Sequence, residues 1–283
     1  MKNKKDSRLF ASGTIWIWLI LLVLLPNLLV LGVSFLTVDT DRFVSLPFTF
    51  SNYLELLDPA VLKIFQRSFK LAAMTTLICL FAGYPFAWFL ARVSKKLRPL
   101  LLVLVIVPFW TNSLVRTYAL VAIINANGLI NKLLKTLGII DMPLQMLYTP
   151  GAVLLGLSYT LLPFMVLPLY SSIIKIDTRL MEAGRDLGGS PMNCFFRIAL
   201  PLTMPGIVSG CMLVFLPALG MFYIPDIMGG SKQALIGNFI RDQFLVSREW
   251  PVGAAASVLM ILLMAVMFGL QRFSRRKVNR RKS

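Results

Sequence analysis

Residues 181–202 read MEAGRDLGGSPMNCFFRIALPL, a polar island between two long apolar runs. Asp177 stands just ahead of it and can N-cap a short helix, its carboxylate accepting from the free N–H groups of the first turn. That helix runs through Glu182 and stops at Gly188-Gly189, where glycine can take the positive φ that closes a last turn. Ser190-Pro191 opens a second short helix, with Ser190 as N-cap and Pro191 at the first helical position. Pro201 ends this helix or kinks it into the next apolar run. The stretch is therefore a helix, a glycine turn and a second helix, held at a membrane face. Residues 177–187 make a rod of about 16 Å. A rod that short is unstable alone in water, but it can seat in a groove on another protein.

The composition demands a membrane. The chain has 283 residues, of which 57% are hydrophobic, and a mean hydropathy of +0.77, outside the range of soluble globular proteins. The formal charge of +17 would suggest nucleic acid in a soluble chain. In a chain this apolar it reads instead as charge that sets orientation across the bilayer. The three cysteines, Cys79, Cys194 and Cys211, have no CxxC spacing and imply neither a disulfide framework nor a zinc site. They read as small buried thiols. With no histidine, His-based metal ligation and His acid–base chemistry are excluded together.

Six apolar spans follow in order, near residues 14–36, 68–91, 100–123, 151–171, 202–223 and 251–270. The first could be a secretory signal, but its apolar run is long for one and no good Ala-x-Ala site follows, so it reads as a retained span. Pro26-Asn27 interrupts it, which a membrane helix tolerates when neighbouring groups satisfy the freed backbone. The fifth span reads as broken by Pro205, Gly206, Gly210, Pro217 and Gly220. Lys and Arg concentrate in the N-terminal tail, the turn RVSKKLRP, the 177–201 loop and the tail QRFSRRKVNRRKS, more than twice as many as in the other three connections. The positive-inside rule then puts both termini and the 177–201 loop in the cytoplasm. Lys70 and Arg116 fall near span ends.

No Asp or Glu falls in the middle of a span. Intramembrane carboxylates mark proton- and sodium-coupled carriers, so their absence argues against a self-powered secondary transporter. Clear inverted repeats, which would favour one, are also missing. There is no GxxxxGK[ST] loop, no GxSxG and no HExxH. Energy must come from another polypeptide, and a loop shaped for docking is the place to receive it.

The 181–202 stretch resembles the EAA loop of the permease subunits of bacterial ABC importers. Glu182 and Ala183 match the Glu-Ala-Ala of that pattern. Gly188 falls six residues after the glutamate, and Ile198, Leu200 and Pro201 complete an Ile-x-Leu-Pro after nine intervening residues. Gly184 replaces the second alanine. Glycine costs a helix about 1 kcal/mol, so this helix is expected to be soft. The resemblance implies an all-α polytopic membrane protein with the type I importer fold, six transmembrane helices and cytoplasmic termini, in the inner membrane. Residues 1–67 would hold a cytoplasmic tail, the first helix and a periplasmic connection, 68–271 the permease core with its EAA loop at 177–201, and 272–283 a basic cytoplasmic tail. In the family this loop is the coupling helix that docks into a cleft of the ATPase. Glu182, Ala183, Gly184, Arg185, Gly188, Ile198, Leu200 and Pro201 are the expected coupling residues, with Glu182 pairing an Arg of the motor. As a lone solvated charge, Glu182 would contribute only about 0.3–0.5 kcal/mol.

PFWTNSLVRTYA (108–119), LLPFMVLPLYSSI (161–173), LPLTMPGIVSGC (200–211) and GGSKQALIGNFIRDQF (229–244) are similar to PotB-type permeases of spermidine/putrescine importers. That resemblance implies four kinds of partner besides lipid: a second permease of PotC type, an ATPase homodimer of PotA type, a periplasmic polyamine-binding protein of PotD type, and the polyamine itself. ATP and Mg would be used by the ATPase, with no cofactor on this chain and no enzymatic activity of its own. Aromatic faces attract ammonium groups by about 0.5–2 kcal/mol each. By depth and type Trp110, Tyr118, Tyr159 and Tyr223 are candidates for the path, each equally readable as interfacial anchoring or packing. Asp226 could meet a cation at the outer mouth, or be a solvated loop carboxylate. The outer connections hold as many basic as acidic residues, so no electronegative funnel supports a polycation independently. A permease for another solute, a secondary transporter or channel, and a membrane scaffold stand as alternatives.

Overall fold

The computed structural model describes residues 13–14, 16–38, 44–230 and 233–280, with side chains as far as residue 269. Lys2, Lys4, Lys5, Asp6, Arg8, Asp39, Asp41, Arg42, Lys232 and the side chains of the basic tail lie outside the described residues. The regular structure among the described residues is helical, apart from one β-bridge between Thr37 and Ser45. Six stretches are long and apolar enough to cross a membrane: Trp16–Val33, Pro59–Arg92, Ser113–Thr136, Pro150–Ile173, Pro191–Gly220 and Trp250–Gly269. Arg98–Trp110 is a further, shorter apolar helix.

The elements are α1 (Trp16–Val33), α2 (Ser51–Glu55), α3 (Pro59–Arg92), α4 (Arg98–Trp110), α5 (Ser113–Ile124), α6 (Leu129–Thr136), α7 (Pro150–Ile173), α8 (Thr178–Asp186), α9 (Pro191–Gly220), α10 (Ile236–Leu245) and α11 (Trp250–Arg280). They fall into two compact units, one drawn from the stretches 1–63 and 239–270, the other centred on 64–238.

In the first unit α1 has no buried residue. Pro26 has no N–H to give, and the helix meets this with a π segment over Ile20–Leu24 just before it. Asn27 supplies a donor from its side chain, Nδ2 to the Val23 carbonyl at 2.7 Å. The end of α1 is fixed by polar contacts: buried Asn52 donates to the carbonyls of Ser34 at 2.9 Å and Leu36 at 2.8 Å. Leu56 packs with Val252, Ala255 and Ala256 in a small core. Beside it, burial and the negative charges of Glu249 and Asp58 hold the Glu55 carboxyl above the usual carboxylate range.

The second unit differs from the sequence expectation in two places. The span expected at 100–123 is two helices. Pro108 lies in a 3₁₀ turn over Val107–Trp110, Thr111 is extended (φ −88°, ψ 147°), and the Asn112 side chain accepts from the Leu114 N–H at 2.8 Å, capping α5. A good N-cap in mid-sequence starts a new helix even inside an apolar run. Conversely, the span expected to be broken by its prolines and glycines is continuous from Pro191 to Gly220.

Gly206 and Gly210 are contact points. A Cβ on Gly206 would lie 2.5 Å from Ser172 Oγ and 2.8 Å from the Pro168 carbonyl oxygen of α7. On Gly210 it would lie 2.6 Å from Met165 Sδ. Gly83 of α3 approaches the same Met165, at 3.1 Å from its Cγ. Met165, itself fully buried, is thus clasped by glycines from two helices. In lipid, apolar surface gains nothing by leaving one oily phase for another, so close backbone approach at small residues carries helix association. The GIVSG spacing of Gly206 and Gly210 puts both on one face.

Gly206→Ala is therefore expected to destabilise by about 1–3 kcal/mol, because a backbone carbonyl blocks the added methyl. Gly210→Ala meets the end of a flexible methionine and should cost clearly less. Thermal unfolding of the two purified variants in detergent checks the order, and equal losses would contradict it.

Candidate functional site

The 177–201 segment folds as an elbow. Asp177 Oδ1 accepts from the Arg179 N–H at 3.0 Å and starts α8. The far end closes as the glycines require. Gly188 has φ +82°, its N–H donates to Arg185 O at 2.8 Å, and the Gly189 N–H reaches back to Gly184 O at 3.0 Å. This is the paired 5→2 and 6→1 bonding of a Schellman cap. Ser190 Oγ then accepts from the Asn193 N–H at 3.2 Å, and Pro191 opens α9. Both caps and the glycine stop fall where the sequence placed them.

Pro201 does not end the second helix. A π segment over Phe195–Ala199 precedes it, with the Leu200 N–H bonded to Phe195 O, and the helix continues. The wider π register absorbs the missing N–H of Pro201. Gly184 also has a packing reason rather than simply weakening α8. A Cβ there would lie 2.6 Å from Ile198 Cδ1 and 3.1 Å from Cys194 Sγ, so the glycine lets the two arms of the elbow close on each other.

Met181, Gly184 and Gly189 are half-buried in the elbow, while Glu182, Ala183, Arg185, Asp186 and Gly188 are exposed. Leu180 (49%), Leu187 (90%) and Met192 (65%) are exposed apolar side chains on the same short segment. Leu200 is half-buried and Pro201 exposed on the continuing helix.

Sequence reasoning missed how the elbow holds the membrane helices. Phe195 seats edge-on against Tyr84 (5.6 Å, 86°) and Trp88 (6.0 Å, 76°) of α3. Those two rings stack on each other at 6.3 Å, and the Arg92 guanidinium lies 4.3 Å over the Trp88 ring. Tyr84 Oη and Thr203 Oγ1 share a hydrogen bond of 3.0 Å, joining α3 to α9 one turn beyond the π segment. The available signal was the spacing of Tyr84, Trp88 and Arg92, which puts all three on one helical face.

The expected path residues do not form one cluster. Trp110 is 80% exposed at the end of α4, and Tyr118 is 59% exposed on α5. Tyr223 packs against the core of Ile124, Leu157, Ile224 and Met228, which gives it a structural role. Asp226 is exposed on the π turn Pro225–Gly229, where its Oδ1 accepts from Asn238 Nδ2 at 2.8 Å. Tyr159 lines a cavity of about 190 Å³ with Phe86, Leu104, Pro108, Arg116 and Pro163. Arg116 is therefore a wall residue of that cavity. Among the described residues no group of His, Cys, Asp or Glu is placed to hold a metal ion.

Residues 83–280 match the family described as binding-protein-dependent transport system inner membrane component. The chain is 52% identical over 283 residues to the spermidine/putrescine transport system permease protein PotB of Salmonella typhimurium, covering 100% of this chain and 99% of that one. It is 55% identical over 250 residues to the PotB of Escherichia coli, covering 88% and 91%. Its fold matches a chain of a bacterial alginate ABC transporter crystallised with its alginate pentasaccharide-bound periplasmic protein. There the TM-score is 0.77 at 17% identity, over 97% of this chain and 96% of that one. On these matches, and on the helices and elbow that accompany them, the chain belongs to the binding-protein-dependent transport system inner membrane component family and is a multi-pass permease of the inner membrane.

Proposed function

We propose that the chain forms half of the translocation path of an ATP-driven importer of polyamines, spermidine or putrescine, delivered by a periplasmic binding protein. The observation that carries the cargo is the 52% identity, over essentially the whole of both chains, to a permease named for spermidine and putrescine. The elbow supports the ATP-driven part. A second permease of PotC type would complete the path, and a PotA-type ATPase pair, using ATP and Mg, would drive it. A PotD-type receptor would bring the polyamine, and this chain would hold no cofactor. The excess of Lys and Arg on one side supports cytoplasmic termini and a cytoplasmic elbow. The division into 1–67, 68–271 and 272–283 follows from that topology.

In this reading α8 docks on the motor, with Glu182 at its exposed centre and Ala183 and Arg185 beside it. Leu187 and Met192 supply the apolar rim. Gly184, Gly188 and Ile198 keep the elbow closed, and Leu200 and Pro201 carry its second arm into the membrane. Movement of the motor then rotates the elbow as a rigid piece, since its two arms touch at Gly184 and Ile198. Phe195 passes that movement to α3 through Tyr84 and Trp88. Each edge-on aromatic contact is worth about 0.5–1.5 kcal/mol beyond its buried area. The polyamine would be gripped only weakly, by cation–π contacts at Tyr118 and Trp110, with Tyr223 and Asp226 near the outer mouth; Tyr159, beside Arg116 in the cavity wall, is set apart from that path.

The direct test is uptake of labelled spermidine and putrescine into proteoliposomes holding both permeases, the ATPase and the receptor. ATP-dependent uptake of either is expected, and failure of both, with another solute carried, would reject the cargo. Glu182→Ala and Gly188→Asp should leave membrane insertion intact yet abolish most uptake, through loss of ATPase docking or of its coupling to transport. Normal uptake in both would remove the assigned role. Phe195→Ala should leave the ATPase bound and hydrolysing, while uptake per ATP falls by about tenfold, the equivalent of 1.4 kcal/mol. An unchanged ratio of uptake to hydrolysis would show that force does not pass through Phe195.

A further inference from the structure

Arg116 is a charge without a counter-charge. It lies on α5 and lines the cavity with Phe86, Leu104, Tyr159 and Pro163, a wall otherwise apolar or aromatic. Its Nε is buried and has no hydrogen-bond partner. Its guanidinium lies 5.3 Å from the centre of the Phe109 ring, and no ion pair to it is found among the described residues. The lining comes from α3, α4, α5 and α7, and includes Tyr159 and Leu162, well inside the 24-residue span of α7. The chain has no carboxylate in the middle of any span that could answer the charge.

A guanidinium set in an apolar wall is costly, and such groups pair with an opposite charge or face a watery route. A watery route for a polycation would not be walled by a fixed positive charge, which repels the cargo. The mouth of the cavity is rimmed by exposed apolar side chains, Phe86 (41%), Leu104 (56%) and Tyr159 (44%). That rim suits a helix in the membrane rather than solvent.

We propose that Arg116 pairs with a carboxylate carried in a transmembrane helix of the second permease, and that this helix covers the cavity. The site is an inter-subunit socket: an apolar rim for the helix, a guanidinium fork for its acid, and the Phe109 ring holding the fork until the partner arrives. It makes the two permeases obligate partners, since a second copy of this chain would bring no mid-span carboxylate to answer Arg116. The inference rests on the heteromeric assembly proposed above, but not on the identity of the cargo.

The test is assembly, read without transport. The chain is co-expressed with the second permease and the ATPase, and the complex is captured through a tag on the second permease. The amount of this chain in the membrane is measured in parallel. Arg116→Glu should accumulate in the membrane yet lower the captured complex by at least about tenfold, as expected for a like-charge pair in a dry interface. Arg116→Lys should keep most of the yield. In the Arg116→Glu background, replacing the span carboxylates of the second permease with Lys, one at a time, should restore capture at one position. Wild-type capture of both Arg116→Glu and Arg116→Gln overturns the proposal. So does a second permease with no carboxylate in its spans, or one in which no replacement restores capture. If the cargo reading fails, uptake changes while these capture results do not.

Discussion

The contact on which the account depends is the seat of Phe195 between Tyr84 and Trp88. The chain has no nucleotide-binding loop, and no carboxylate lies in mid-span to couple it to an ion gradient. In the proposed function work enters mechanically, through the elbow. An elbow that merely rested on the membrane would swivel without effect. Here its second arm is continuous with the helix Pro191–Gly220, and its first aromatic residue is locked on edge against a different helix. The Tyr84–Thr203 hydrogen bond closes the triangle between them. In the proposed function a push at the elbow would reach two membrane helices together.

Transmission also needs a body that does not absorb the push. Inside the bilayer there is little hydrophobic gain from bringing helices together, so stiffness must come from close fit. Gly83, Gly206 and Gly210 supply it by letting α3 and α9 approach α7 around Met165 and Pro168. Removing a side chain at each of these points costs local helix propensity and gains interhelical contact, and in a membrane the second term prevails. At Gly184 the same exchange keeps the two arms of the elbow together outside the bilayer.

Much of this was legible in the sequence, and the failures share a cause. Apolar length fixed the number of spans, because a bilayer has one thickness to cross. The elbow was legible to the residue: Asp177, Gly188, Ser190 and Pro191 act locally, through caps and a positive φ that need no tertiary partner. Gly206, Gly210 and Gly184 misled, because a glycine that breaks a helix and one that admits a neighbour look alike until the neighbour is seen. Thr111-Asn112 misled in the opposite direction, since an N-cap inside an apolar run was read through rather than as a start. Pro201 was tolerated by a π register that sequence pattern does not announce. The aromatic candidates for the path were chosen one at a time by depth, and depth says nothing about which helix face a ring occupies. Tyr223 went to a core and Tyr159 to a cavity. Arg116 does lie near a span end, and what position alone did not tell is that it is in the wall of that cavity.

The central claim is that the elbow is the surface through which a cytoplasmic motor grips this chain, and Leu187, 90% exposed at its tip, reports on it directly. The measurement is labelling of Leu187→Cys with a membrane-impermeant maleimide, in right-side-out and inside-out vesicles, with and without the ATPase. Native Cys79 and Cys194 are buried and Cys211 half-buried, so the background is low. The account predicts labelling only in inside-out vesicles, and its suppression when the ATPase is bound. Labelling from the periplasmic side, or labelling at full rate beneath the bound ATPase, would contradict it.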